Sequence, residues 1–177
     1  MPPGQNKPIV GISSCLLGEP VRYDGNHKHA LPIIEHLTHH FSFHSFCPEV
    51  AIGLGVPRPP IHLILKQQKI YCVDVSTPSI DVTEQLIQCC QQQDWQHALC
   101  GYIVKARSPS CGWKSTPVTQ TKETTPPLFD SGIYTAQLIK RYPDLPIIEE
   151  EQLNDVNSRE DFIQRVLAYE RNKRNTG

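Results

Sequence analysis

Cysteine is the residue type with the greatest capacity for chemistry here, because a chain of 177 residues contains seven of them. Three of these, Cys15, Cys47 and Cys111, lie just behind apolar runs that predict strands. Three converging thiolates can hold a four-iron cluster with one iron left open, or a zinc ion with a position left for water. Their wide separation matches no compact ligand motif, so three buried thiols are the alternative interpretation.

Two further residues next to these cysteines carry groups that can move protons. Glu49 lies two residues after Cys47, between a proline and a glycine, and its carboxylate could act as a general base that activates water. Ser108 lies in the Ser-Pro-Ser-Cys-Gly turn that contains Cys111, and its hydroxyl could hold a substrate or relay a proton. A solvated carboxylate and a turn-stabilising serine are the alternatives.

Several charged residues are expected near the same place in the fold. They are Arg22, Asp24, Arg58, Lys105 and Arg107. Their charges could neutralise an anionic cluster or orient a polar ligand. An Arg22–Asp24 pair across a turn is the simpler alternative for those two residues.

The other candidate ligands have ordinary explanations. Four cysteines fall inside predicted strands or on a predicted helix and are expected to be buried thiols: Cys72, Cys89, Cys90 and Cys100. His36 and His40 have the helical spacing of zinc ligands, but a solvated pair is the better interpretation because no third ligand is placed nearby. The sequence has no G-x-G-x-x-G, P-loop, G-x-S-x-G or C-x-x-C motif, which counts against a dinucleotide or nucleoside triphosphate cofactor.

The elements that must position these residues are strands alternating with helices. Residues 9–15, 41–46 and 100–105 predict strands that lead towards Cys15, Cys47 and Cys111 respectively. Such alternation predicts an α/β fold, a Rossmann-like three-layer sandwich with a mostly parallel sheet. Because ligands bind at the carboxyl ends of parallel strands, the topology is expected to gather the three thiols at that edge.

The remaining elements complete this prediction. Helices are expected over residues 30–40, 81–95, 133–142 and 158–171, a hairpin at the sheet edge over 61–65 and 69–75, and a short strand over 145–148. Residues 113–127, rich in Thr and Pro, predict a long surface loop, and residues 1–7 predict a disordered start. We expect one domain over residues 1–177, because no linker or repeat divides the chain.

Composition limits the cellular setting and the partners. The net charge is -1, hydrophobic residues make up 38% and charged residues 20%, as in a globular protein without a general polyanion-binding surface. A polynucleotide partner is therefore not favoured. With no signal peptide and no apolar stretch of about 18 residues, we expect a cytoplasmic protein with no membrane partner and reduced thiols. A monomer or weak dimer is expected.

Five motifs occur in one order along the chain. They are CLLG at 15–18, VRYDG at 21–25, CPE at 47–49, VPRP at 56–59 and KARSPSCG at 105–112. Each is modest by itself, but together and in this order the chain resembles the thiouracil desulfidase family over roughly residues 8–150.

The resemblance implies a four-iron, four-sulfur cluster held by Cys15, Cys47 and Cys111, with one iron not ligated by protein. It implies that the sulfur of a thiolated pyrimidine such as 2-thiouracil binds that iron. A carboxylate matching Glu49 would activate water, and a serine matching Ser108 would assist proton transfer. The product would carry a carbonyl in place of the thiocarbonyl, with release of hydrogen sulfide and no redox change at carbon.

Two alternatives remain open at this point. One is a desulfidase that acts on 4-thiouridine, either as the nucleoside or in transfer RNA. The other is a non-enzymatic protein that binds a metal or carries an iron–sulfur cluster.

Overall fold

A computed structural model of the chain describes residues 6–20, 22–24, 31–120 and 126–177. The strands in these residues are β1 (Ile9–Ser13), β2 (Ser42–Phe46), β3 (Ile61–Lys66), β4 (Lys69–Asp74), β5 (Leu99–Val104), β6 (Thr116–Gln120), β7 (Leu128–Asp130) and β8 (Ile147–Glu149). The α-helices are α1 (Leu31–Leu37), α2 (Pro48–Ala51), α3 (Thr83–Gln91), α4 (Ile133–Arg141) and α5 (Val156–Thr176). Short 3₁₀ helices cover Ser14–Leu17, Asp94–Ala98 and Glu150–Asn154.

The first sheet has the strand order β2-β1-β5-β8, and all three of its pairings are parallel. Its central strand β5 is buried at every position, as expected for a parallel strand covered on both faces. This sheet confirms the predicted α/β fold and its parallel arrangement.

Helices cover both faces of the first sheet and make three layers. On one face, Leu37 from α1 and Phe162 and Val166 from α5 pack with Ile12 and Ile103 of the sheet. On the other face, the apolar cluster joins α3 and α4 to β5 through Cys90, Tyr134, Leu138, Tyr102 and Val104. These buried clusters hold the strand ends in fixed positions relative to one another.

The structure also contains a second sheet, with the strand order β4-β3-β6-β7, which the sequence did not predict. The predicted hairpin is confirmed as β3 and β4, with Gln67 and Gln68 at positive φ in its turn. The hairpin does not extend the parallel sheet, however. Its strand β3 pairs in parallel with β6, and β6 pairs antiparallel with β7.

The prediction of a loop over all of residues 113–127 was wrong for Thr116–Gln120, which forms β6. Thr116 and Val118 are buried and alternate with exposed residues, so the strand has the expected period of two. The pattern was hard to detect because Val118 is the single large apolar residue of this short strand, which also contains Pro117. Residues 121–125 of the predicted loop lie outside the described residues.

Other predicted segments also lie partly outside the described residues. Of the start predicted to be disordered, residues 1–5 are not described, whereas the amino group of Lys7 donates a hydrogen bond of 2.6 Å to the carbonyl of Thr38. Residue 30 of the first predicted helix is also not described. In the described part of the chain, no helix is long and apolar enough to cross a bilayer.

Candidate functional site

A cavity of about 340 Å³ lies at the carboxyl ends of β1, β2 and β5. The five residues singled out in the sequence all line it: Cys15, Cys47, Glu49, Ser108 and Cys111. They come from segments far apart in the chain, and the parallel sheet brings them together because its strands end at one edge.

Each cavity-lining cysteine sits on a local structure that follows a strand. Cys15 lies in the 3₁₀ helix directly after β1, and Cys47 is the residue before the one-turn helix α2, whose first position is Pro48. Proline suits that position because its fixed φ matches the helix and its missing N–H is not needed there. Cys111 lies in the loop after β5 and is buried.

The three thiols interact electrostatically as well as sharing the cavity. Burial, and next the charge of Cys47, raises the pKa of Cys15 to about 11. Burial, and next Cys47, also raises the pKa of Cys111 well above the ordinary value, and burial raises that of Cys47. These thiols are therefore protonated near neutral pH unless a bound cation favours the thiolate, and cation binding would release their protons.

The donor set fits a cluster better than a single ion. Thiolate is the usual ligand of iron–sulfur clusters, in which each ligated iron takes one cysteine. Among the residues that the structure describes, no group of three or more His, Cys, Asp or Glu side chains is arranged around one metal-ion position. His36 and His40 do not form such a group either, and the His36 imidazole lies 3.9 Å from the carboxylate of Glu160.

The Glu49 carboxylate is held at both oxygens. Nε and Nη2 of Arg58 each lie 2.8 Å from Oε2, and the Ser110 hydroxyl donates to Oε1 over 2.8 Å. The side chains of Arg58 and Glu49 are only 3% and 12% exposed, so this ion pair lies largely out of water. The opposite charge of Arg58 and the Ser110 hydrogen bond therefore offset part of the cost of burying the carboxylate.

Arg58 was predicted only as one of several charges near this edge, and the structure gives it a specific contact. Its third nitrogen, Nη1, donates to the carbonyl of Gly55 over 2.7 Å, and its backbone N–H donates to the carbonyl of Tyr23 over 2.7 Å. Gly55 therefore helps to orient the guanidinium towards Glu49, and Tyr23 holds the backbone of Arg58.

Two serines connect the third cysteine to Glu49. The oxygen of Ser108 accepts a hydrogen bond of 3.0 Å from the backbone N–H of Cys111, and it lies 3.1 Å from the hydroxyl oxygen of Ser110. Ser108 thus lines the cavity and also stabilises the turn between itself and Cys111. Sequence reasoning missed Ser110, although its place beside Cys111 in the Ser-Pro-Ser-Cys turn was a usable signal.

The start of α4 fixes the loop that carries these serines. The backbone N–H of Ile133 donates to the carbonyl of Pro109, and that of Tyr134 to the carbonyl of Ser110, each over 3.0 Å. A Cβ on Gly132 would lie 2.4–2.6 Å from backbone atoms of Ser110 and Cys111, so only glycine permits this approach. The loop is therefore held rigidly against the helix.

A second buried ion pair borders the cavity. The amino group of Lys105 lies 2.7 Å from Glu150, whose other oxygen accepts from the backbone N–H of Ala106 over 2.6 Å. Arg107 pairs with Glu151 at the surface, and Arg22 lines the cavity. Glu150 was not identified from the sequence, because it lies in the 3₁₀ helix after β8, the strand that pairs with β5, 44 residues or more from its partners.

The four other cysteines lie in the protein interior, as predicted. Cys72 is in β4, Cys89 and Cys90 are in α3, and Cys100 is in β5. All four are buried and free, and none of them lines the cavity.

Comparison with known proteins finds one family model and one similar solved structure. A family model described as 2-thiouracil desulfurase matches residues 10–151. The chain is also similar to a solved structure of the 4Fe–4S-dependent thiouracil desulfidase TudS, with 30% sequence identity and a TM-score of 0.62. That match covers 85% of this chain and 94% of the other. No curated protein sequence matches the chain.

Proposed function

Because the chain belongs to the 2-thiouracil desulfurase family, we propose that it removes sulfur from a thiolated nucleobase such as 2-thiouracil. The observation that carries the proposal is the composition of one cavity, which three cysteines, a buried carboxylate and a serine all line. In the reaction, a thiocarbonyl and water give a carbonyl and hydrogen sulfide, so the oxidation state of the carbon does not change.

Cys15, Cys47 and Cys111 would hold a four-iron cluster as thiolates. Three protein ligands leave one of four irons without a protein ligand. When bound, the cluster supplies an open, thiophilic Lewis acid that polarises the C=S bond and stabilises the departing sulfide. The same three cysteines line the cavity, so a substrate in the cavity would lie next to the cluster.

Glu49 would act as the general base. It would accept a proton from the water that attacks the thiolated carbon, which makes the water a stronger nucleophile. Arg58 compensates the charge of the carboxylate and fixes its orientation through two contacts to Oε2. A fixed base removes the entropic cost of aligning water and substrate for each turnover.

Ser108 would assist proton transfer towards the departing sulfur. Its oxygen is held by the backbone N–H of Cys111, and its hydroxyl proton can rotate between Ser110 and the cavity. Because Ser108 contacts the backbone of Cys111, its hydroxyl would lie near a cluster held by that cysteine.

The substrate is proposed to be small. A cavity of about 340 Å³ lies at the lower end of the range of roughly 300–1,000 Å³ for small-molecule sites. The net charge of -1 gives no general attraction for phosphate backbones. A free base or nucleoside is therefore favoured over a polynucleotide.

The test is anaerobic reconstitution of the protein with iron and sulfide, followed by incubation with 2-thiouracil and 4-thiouridine. We expect iron-dependent release of sulfide and formation of uracil, measured colorimetrically and by chromatography. A protein that holds the cluster but releases no sulfide from any thiolated pyrimidine would overturn the proposal in favour of a cluster carrier. If thiolated transfer RNA were preferred, its binding would weaken steeply with added salt.

A further inference from the structure

Ser110 connects the two residues to which the proposed function gives proton-transfer roles. Its hydroxyl oxygen lies 2.8 Å from Oε1 of Glu49 and 3.1 Å from the hydroxyl oxygen of Ser108. Ser110 is only 1% exposed, so bulk water does not compete for these contacts.

The direction of these hydrogen bonds follows from the chemistry of the groups. An ionised carboxylate can only accept, so Ser110 donates its single proton to Glu49. The Ser110 oxygen then accepts from the hydroxyl of Ser108, whose own oxygen accepts from the backbone N–H of Cys111. The result is one directed chain that runs from Cys111 through two hydroxyls to the carboxylate.

The same contacts distinguish the two oxygens of Glu49. Oε2 lies 2.8 Å from both Nε and Nη2 of Arg58, so two N–H groups are directed at it. Oε1 receives one donor, from Ser110. Among the side-chain contacts of the described residues, Oε1 is therefore the oxygen that retains a lone pair for a proton from water.

We propose that Ser110 is a positioning residue, which holds Oε1 of Glu49 towards the cavity and couples Glu49 to Ser108. The proposal rests on the proposed desulfidase function. Once Oε1 has taken a proton from water, rotation of its new O–H bond and of the two serine hydroxyls reverses the direction of the chain. Glu49 then donates to Ser110, Ser110 donates to Ser108, and Ser108 donates to the departing sulfide. One proton leaves water, one reaches sulfur, and each serine is neutral before and after.

The first test is kinetic and uses the reconstituted full chain. We expect Ser110→Ala to lower kcat about 10- to 100-fold with little change in KM or iron content, because the base stays present but is misplaced. Ser110→Thr, which keeps the hydroxyl, should recover part of the loss. Ser79→Ala, at an exposed serine in the turn after β4, is the matched control and should behave like wild type.

The second test asks whether Ser108 and Ser110 act as one unit. The double variant Ser108→Ala/Ser110→Ala should be no slower than the slower single variant, since either change interrupts the same chain. Additive losses, or a Ser110→Ala variant with wild-type kcat, would overturn the positioning role.

A third measurement does not depend on activity. The effect of Ser110→Ala on Tm should be smaller by about 2–4 °C in a Glu49→Ala background than in wild type, because the contact has already been removed there. Equal shifts in both backgrounds would refute the contact with Glu49. If the variants show this coupling but the reconstituted wild-type protein removes sulfur from no thiolated pyrimidine, the contact stands and the proposed function is refuted.

Discussion

The cavity edge and the interior beneath α3 and α4 use the same residue types in different ways. Both regions hold buried cysteines, and burial raises the pKa of the thiol in both. In the interior, the Gln96 amide donates to the hydroxyl of Tyr134 over 2.7 Å and to the sulfur of Cys90 over 3.4 Å, and Arg141 donates to the Gln96 oxygen over 2.6 Å. Burial therefore does not mark a functional cysteine.

The difference lies in what surrounds each thiol. In the interior, the thiol of Cys90 accepts from the Gln96 amide and packs among apolar side chains. The cavity thiols face space, one another and a buried carboxylate. Position at the strand ends makes these three available for ligation.

The largest expected effect comes from removing one cavity thiol. We expect Cys47→Ala to abolish cluster assembly and turnover, because Cys47 is the thiol that interacts with both Cys15 and Cys111. Iron content and the visible absorption spectrum after anaerobic reconstitution measure this directly. Cys90→Ala is the matched control and should keep its cluster, so loss of iron from both variants would remove the distinction between the two regions.

The next effect separates cluster binding from chemistry within the cavity. Glu49→Gln keeps the size of the side chain but removes the base, and we expect kcat to fall about 10²- to 10⁴-fold with unchanged iron content. Sulfide release and iron count on the same sample give the result. A variant that lost its iron would make Glu49 structural instead.

A smaller effect concerns thiol reactivity in the cluster-free protein. Because the thiolate is the reactive form and the pKa of Cys15 is about 11, alkylation of Cys15 by iodoacetamide should speed up about tenfold per pH unit from pH 8 to 10. Peptide mass spectrometry at timed intervals measures the rate. Cys90 should stay unlabelled throughout, and bound cluster should protect Cys15. Rapid labelling of Cys15 at pH 7 would contradict its raised pKa.

The smallest effect is expected in the interior. Gln96→Ala leaves the Tyr134 hydroxyl and an Arg141 N–H without this partner, so unfolding should become easier by about 1–3 kcal/mol. Denaturant titration measures the loss, with the exposed Gln91→Ala as the control. Turnover of the folded protein should not change, and a fall in kcat would connect the interior network to the cavity.

Much of the fold was predictable because several strands have clear apolar or aromatic runs and several helices have clear periodicity. The strands before Cys15, Cys47 and Cys111 were expected from apolar β-branched or aromatic runs, and the structure contains all three. Strand β6 was not expected, because its burial comes from pairing with β3 rather than from its own composition. The one-turn helix α2 was also missed, since four residues carry no measurable periodicity.

The sequence alone determined which residues could do chemistry and that parallel strands would gather them. Side-chain type sets the available proton and metal chemistry, and the alternation of strands with helices sets the edge at which ligands bind. These properties are local, so they can be recognised in a single chain.

The tertiary structure alone decided how those residues are oriented. The partners of Glu49 lie nine residues away at Arg58 and 61 residues away at Ser110, and no local pattern relates these positions. Their contacts depend on how α2, the loop after β5 and the start of α4 pack together. Hydrogen bonds act over about 3 Å, so only folding decides which donors reach each oxygen of Glu49.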